Sequence, residues 1–187
     1  MHKEISFIHT GQCCLFVVDP QERLMAHIYE ADRVVTNIAL MIRLAEVFSL
    51  PVLSCTQYKK GIGDIVPELA ALLRGVACPD KVSFNALASK EVQQELDNLP
   101  AEVDTLLLCG VETHICIYQT AMGALQAGYR VRVVVDGVSS RTPENDYFGR
   151  QRLREIGAVL APAEMVIYEL LQQAGTAEFK ALLPYLK

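Results

Sequence analysis

The sequence predicts an α/β protein: a three-layer, doubly wound, mostly parallel sheet of about six strands with helices on both faces. Three observations carry that expectation. Short continuous apolar runs, Cys13 to Val18 and Thr105 to Val111, have the composition of strands buried on both faces. Segments of helical period alternate with such runs along the chain. Glycine, proline and aspartate stand at the joints, and no Pro-, Gly- or Ser-rich linker interrupts the alternation. Residues 1–187 therefore read as a single domain.

Each element follows in order. The first strand, Cys13 to Val18, stops at Asp19-Pro20. From Ala31 to Leu50 apolar residues recur at helical spacing (Val34, Ile38, Met41, Ile42, Ala45), and Pro51 ends that helix. Val52 to Thr56 reads as the second strand, followed by a loop holding Gly61 and Gly63 and a short helix from Pro67 to Arg74. Cys78 to Phe84 is a weak strand or extended stretch. Ser89 is placed to cap a helix running to Leu99. Thr105 to Cys109 is a buried strand closed by Gly110, and a helix from Thr113 to Ala127 is closed by Gly128. Val131 to Val135 forms a strand ending at Asp136-Gly137. Pro143 opens a helix as far as Ile156. Ala158 to Leu160 is a short strand, Ala163 to Leu171 a helix, and Ala177 to Tyr185 a final amphipathic helix.

Composition removes several functional classes. Half of the residues are hydrophobic (51%) and 21% are charged, which excludes disorder, collagen and coiled coil. The net charge of −5 leaves no basic footprint, so nucleic acid is not an expected partner. Met1-His2-Lys3-Glu4 lacks the apolar region of a signal peptide, and no apolar run approaches the ~20 residues that span a bilayer. A cytoplasmic location is expected, with no membrane partner. The six cysteines show no CxxC or Cys/His metal spacing and are expected to be reduced. Cys13, Cys14, Cys55, Cys78 and Cys109 read as small apolar filler.

In a doubly wound sheet the chemistry sits beyond the carboxyl ends of the strands. Asp19 follows the first strand, Lys81 lies in the extended stretch, and Cys116 follows the strand at Thr105. A cysteine just inside a helix N-terminus is placed for a lowered thiol pKa and for backbone amides that hold an oxyanion. A lysine nearby favours the thiolate, and an aspartate can take or deliver a proton. Read singly, Asp19 is a turn residue, Lys81 a surface lysine and Cys116 a buried thiol; three reactive groups at three strand ends outweigh those readings together. His114 reads as a helix-start residue in support of the site rather than its base. Ser139-Ser140 reads as a hydrogen-bonded turn. Gly61-Ile62-Gly63 is no dinucleotide fingerprint, and there is no Walker A sequence and no Gly-x-Ser-x-Gly elbow.

The stretch Gly110-Val111-Glu112-Thr113-His114-Ile115-Cys116-Ile117-Tyr118-Gln119-Thr120-Ala121 resembles the nucleophile motif of the isochorismatase-like (cysteine) hydrolase superfamily. Val17-Val18-Asp19-Pro20-Gln21, Lys81-Val82-Ser83-Phe84 and Asp136 to Arg141 resemble its other motifs, in the family's order, from about Cys13 to Ala174. The resemblance implies a Rossmann-like fold and an Asp-Lys-Cys triad carried by Asp19, Lys81 and Cys116. It implies a cis peptide at Val111-Glu112 and an oxyanion hole built from backbone amides at Thr113 or Cys116. Nicotinamidases of the family carry an Asp-x-His metal motif where this chain has Thr56 to Gly63 with neither residue, so no metal and no cofactor are expected. Gln57-Tyr58-x-Lys60-Gly61-x-Gly63 instead resembles the isochorismatase domain-containing proteins of undefined substrate. True isochorismatases replace the cysteine, so Cys116 argues against that reaction.

The leading expectation is a hydrolase of a small amide, or an ester, working through a thioester on Cys116. Gln57, Tyr58 and Phe84 are pocket candidates by proximity to the motifs. The alternatives are a thiol redox sensor using Cys116 and a non-catalytic oligomeric member of the fold. The resemblance also implies a homo-oligomer, and Phe179, Leu182, Leu183, Tyr185 and Leu186 on the last helix could serve either an interface or packing on their own sheet.

Overall fold

In a computed structural model, which describes residues 6–186, the strands in chain order are β1 (Cys13–Val18), β2 (Val52–Gln57), β3 (Asp80–Lys81), β4 (Thr105–Val111), β5 (Arg130–Ser139) and β6 (Val159–Ala161). The helices are α1 (Glu22–Met25), α2 (Ala31–Phe48), α3 (Lys59–Ile62), α4 (Pro67–Leu72), α5 (Lys90–Asp97), α6 (Tyr118–Gln126), α7 (Pro143–Glu155), α8 (Ala163–Leu171) and α9 (Ala177–Leu182). The sheet order is β3-β2-β1-β4-β5-β6 with every pairing parallel.

Alternation along the strands builds two apolar layers. Cys13, Leu15 and Val17 of β1 face one layer with Leu107, Cys109 and Val111 of β4, where α2, α4, α8 and α9 cover the sheet. Cys14, Phe16 and Val18 face the other with Leu106 and Leu108, under α5, α6 and α7. Every residue of β1 and β4 is buried, which is why both read as unbroken apolar runs. The chain leaves β1 toward β2 and β3 on one side and returns to β4, β5 and β6 on the other. The topological switch point therefore lies between the carboxyl ends of β1 and β4.

Several local expectations are corrected. The extended stretch from Cys78 to Phe84 contributes a strand of only two residues, because only Thr56↔Asp80 and Gln57↔Lys81 pair at that sheet edge. β5 does not stop at Asp136-Gly137 but runs on to Ser139, absorbing a shift of register against β4 between Leu108 and Gly110. The helix expected from Thr113 opens instead with a wide π-helical turn, Thr113–Ile117, before α6. The loop after β2 folds one helical turn, α3, at Lys59–Ile62. Ser89 stands at the N-cap of α5, but its hydroxyl donates to Glu91 Oε2 at 2.7 Å instead of capping an amide. Cys78 is exposed rather than filler, and all six cysteines are free. At the C-terminal end, Leu182 of α9 is buried and Phe179 and Leu186 pack onto the layer of α2, while Leu183 and Tyr185 are exposed. The reading of Met1 to Glu4 lies outside the described residues. Among the described residues no helix is long and apolar enough to cross a membrane.

Candidate active site

Asp19 is the first residue beyond β1. Its backbone turns through the left-handed region (φ 54°), and its amide donates to Cys55 O at 3.1 Å. Beside it in β4 stands Gly110, with φ of 122°, where an added Cβ would lie 1.9 Å from Val18 O. Only glycine lets β4 pass this close to the end of β1, so the two ends of the switch point meet through bare backbone.

Lys81 reaches the same place from two strands away. Adjacent strands are about 4.8 Å apart, so its backbone lies roughly 10 Å from β1, within the reach of an extended lysine. Its Nζ donates to Asp19 Oδ2 at 2.7 Å and to Gln57 Oε1 at 2.8 Å, and both ends of the Asp19–Lys81 pair are shielded from solvent. Gln57 ends the intervening strand and bridges the span. Its Nε2 donates to Val82 O at 2.8 Å, while its backbone N–H donates to Gln21 Oε1 at 2.7 Å. Gln21 Nε2 in turn donates to Gln57 O at 3.2 Å and Gly63 O at 2.7 Å. An ammonium can only donate, so Gln57 must present its oxygen to Lys81; the contacts on its other amide end agree.

The remaining face of Asp19 is met by two thiols. Cys55 donates to Oδ1 at 3.3 Å from within β2, and Cys116 engages the same carboxylate from the π-helical turn. Cys116 is nearly buried, and the Glu112 backbone amide also interacts with its sulfur. The Val111–Glu112 peptide just before this turn is cis.

Electrostatics correct one expectation. Cys116 does not carry a depressed pKa: burial, with the facing Asp19 carboxylate, pushes it up to about 12 against the pull of Lys81 and the Glu112 amide. Desolvation outweighs the pull that a helix start exerts on a thiol. At rest Cys116 is a thiol facing the Asp19 carboxylate. Burial lifts Asp19 above the ordinary carboxylate value, while Lys81 and the hydrogen bonds from Lys81, Cys116 and Cys55 draw it down. Burial works to lower Lys81, but Asp19 and the two thiols outweigh it, and the ammonium stays protonated.

The turn carrying Cys116 is held from the β5 and α7 side. Glu112 Oε2 accepts from the Arg141 backbone N–H at 2.9 Å and from its Nε at 3.1 Å. Thr113 is fully buried, and its hydroxyl donates to Asp146 Oδ1 at 2.6 Å; Asp146 Oδ2 pairs with Arg150 at 2.6 Å. Gly149 lets α7 lie against the turn, where an added Cβ would sit 2.9 Å from the His114 N. His114 Nδ1 lies 2.9 Å from Ser140 Oγ, and burial lowers its pKa. The ring is neutral near pH 7 and turned to Ser140. Ser139 donates to Tyr29 O at 2.7 Å, as a hydrogen-bonding residue at the strand end.

Of the residues singled out from the sequence, Asp19, Lys81 and Cys116 come together, and Gln57 joins them through Lys81. Val111, Glu112 and Thr113 are buried at the entry to the π-helical turn that carries Cys116. Tyr58 and Phe84 are half exposed, Tyr58 with its ring over Gly61. Gln21, Cys55 and Asp146 were missed; a polar residue two positions after Asp19 and an acid in the first turn of α7 were the only local signals. Among the described residues no group of three or more His, Cys, Asp or Glu is placed to hold a metal ion.

Residues 13–165 match the isochorismatase domain. Isochorismatase domain-containing protein 2 of Bos taurus is 38% identical over 172 residues, which are 92% of this chain and 81% of that protein. The structure of MAR1 ribonuclease from Caenorhabditis elegans is similar with a TM-score of 0.86 at 30% identity, covering 97% of this chain and 92% of that one. The YcaC gene product of Escherichia coli, described as an octameric hydrolase of unknown specificity, shares the fold with a TM-score of 0.90 at 23% identity over 98% of this chain and 92% of that one. A domain match across most of the sequence, together with a relative this similar over nearly all of it, settles the family: the chain belongs to the isochorismatase-like hydrolases.

Proposed function

We propose that this chain is a cysteine hydrolase of small amides, or esters, acting through Asp19, Lys81 and Cys116. The observation that supports the reading is one buried carboxylate engaged at once by an ammonium and by the candidate nucleophile. As Cys116 Sγ attacks the carbonyl carbon, its proton passes to Asp19 and the carbonyl oxygen becomes an oxyanion. Backbone amides of the turn, at Thr113 and Cys116, receive that charge. Collapse expels the amine, which leaves with the proton from Asp19, and Cys116 remains as a thioester. Water then attacks, giving a proton to Asp19; the carboxylic acid departs and the proton returns to sulfur. Lys81 stays charged throughout and offsets the negative charge shared between carboxylate and thiol.

The same reading takes residues 1–187 as one domain, a small molecule as substrate, a cytoplasmic location, a homo-oligomeric state and no cofactor. The name ribonuclease belongs to the Caenorhabditis relative. Here a net charge of −5 and a site of one buried ion pair favour a small substrate over a polyanion. A peroxide sensor needs a standing thiolate, and a Cys116 pKa raised to about 12 disfavours it.

The test uses p-nitrophenyl acetate as an activated acyl donor. Wild type is expected to accumulate an acetyl group on Cys116, located by peptide mass spectrometry, and to turn over. Cys116→Ala and Asp19→Asn lose turnover by roughly 10⁴-fold or more. Its acid limb lies above the ordinary carboxylate range, because Asp19 must be ionised to take the proton and its pKa is raised. Wild-type turnover by Cys116→Ala overturns the reading.

A further inference from the structure

The sequence reads Cys55 as packing, and its burial within β2 agrees with that. Its thiol is nonetheless aimed at a charge. Of the four lone-pair positions on the Asp19 carboxylate, Lys81 takes one on Oδ2, Cys55 takes one on Oδ1, and Cys116 engages the group from the opposite side of the switch point. We propose that Cys55 is a positioning residue of this site, whose thiol holds Asp19 Oδ1 and so fixes the orientation of the carboxylate shared by Lys81 and Cys116. The proposal rests on the reading of Asp19 as the base.

The chemistry of a thiol suits this position. An ammonium donates only, so Lys81 serves the ionised carboxylate whatever the catalytic step. A thiol donates weakly and accepts weakly, so Cys55 can donate a hydrogen bond to the carboxylate and then turn its sulfur to accept one from the acid once Asp19 is protonated. Valine at this position would offer neither. Serine would offer both, more strongly. The groups that face Asp19 are Lys81 from β3, Cys116 from the π-helical turn and Cys55 from β2, with Cys78 the next ionisable group beyond Cys55. Of these, Cys55 alone has no other part in the proposed reaction. A hydrogen bond to the ionised form favours that form, so removing the Cys55 donor makes Asp19 easier to protonate.

The experiment is the rate at which iodoacetamide alkylates Cys116 as a function of pH, read by peptide mass spectrometry on the full chain. Sulfur displaces iodide while its proton passes to Asp19, so the acid limb of the rate reports the ionisation of Asp19 without a known substrate. Cys55→Val is expected to move that limb upward by about one pH unit. Cys55→Ser is expected to restore it to the wild-type position or below. A merely structural role for Cys55 would lower the melting temperature of both variants and leave the limb in place. Cys55→Ala carries the same expectation as valine should the bulkier side chain prevent folding. An unmoved limb in Cys55→Val and Cys55→Ala overturns the proposal, provided that Asp19→Asn has abolished the limb. An Asp19→Asn protein that keeps the wild-type limb overturns the base assignment itself, and the role of Cys55 with it.

Discussion

The two sides of the switch point hold their halves of the site by different means. On the β1–β2–β3 side, Asp19 and Lys81 are shielded from solvent and steadied by neutral groups: the amides of Gln21 and Gln57 and the thiol of Cys55. On the β4–β5 side, the turn of Cys116 is fastened by ion pairs, Glu112 with Arg141 and Asp146 with Arg150, whose cations reach solvent. The difference follows from dielectric. A buried ion pair is disturbed by any further charge in the same low-dielectric space, so its supports must be dipoles. The turn of Cys116 can be held by full charges whose cations reach solvent, because water weakens their reach toward its thiol.

The comparison is broken most directly by removing the ammonium. Lys81→Met leaves the Asp19 carboxylate buried without its counter-charge, which costs about 3–5 kcal/mol of stability. The pH dependence has a sign. Without Lys81 the folded-state pKa of Asp19 rises further above its unfolded value, so the folded protein holds an extra proton and recovers stability as pH falls. Urea unfolding at about pH 7 and about pH 5 should therefore show a deficit that shrinks toward acid. A deficit equal at both values would mean that Asp19 is not the group left exposed.

Much of this site was legible in the sequence, and what was not shares one cause. β1 and β4 were readable because strands buried on both faces admit few polar residues. Asp19, Lys81 and Cys116 were readable because strand ends in this topology converge. Gln21, Cys55 and Asp146 act through partners more than thirty positions away, Gln57, Asp19 and Thr113, and periodicity tells which face a residue occupies but not which atom it meets. The Cys55 burial was anticipated and its partner was not. The π-helical turn was hidden for a related reason: a single widened turn leaves the apolar period of the following helix intact.

A smaller perturbation sharpens the contrast within the buried half. Gln57→Leu removes the oxygen that accepts from Lys81 and the amide that donates to Val82, while the backbone pairing with Gln21 remains. One unsatisfied buried donor costs about 1–3 kcal/mol, and more on a charged group. Because Lys81 is then held by Asp19 alone, the rate of Cys116 alkylation should fall along with stability. A Gln57→Leu protein as reactive as wild type would show that Asp19 alone orients Lys81.

The smallest effect is expected on the other side, from Arg141→Lys. The substitution keeps a cation near Glu112 and keeps the backbone N–H that donates to Oε2, and loses only the Nε bond at 3.1 Å. With its guanidinium side chain 57% exposed, the pair contributes at most about 1 kcal/mol. What it contributes should also be sensitive to salt: the difference from wild type should shrink near 1 M NaCl, where the screening length is about 3 Å. The deficit of Lys81→Met, sealed from solvent, should not change with salt. The two variants measured together in urea at low and high salt thus separate an ion pair sealed from solvent from one open to it, and an Arg141→Lys loss as large and as indifferent to salt as that of Lys81→Met would put both halves of the site in the same dielectric.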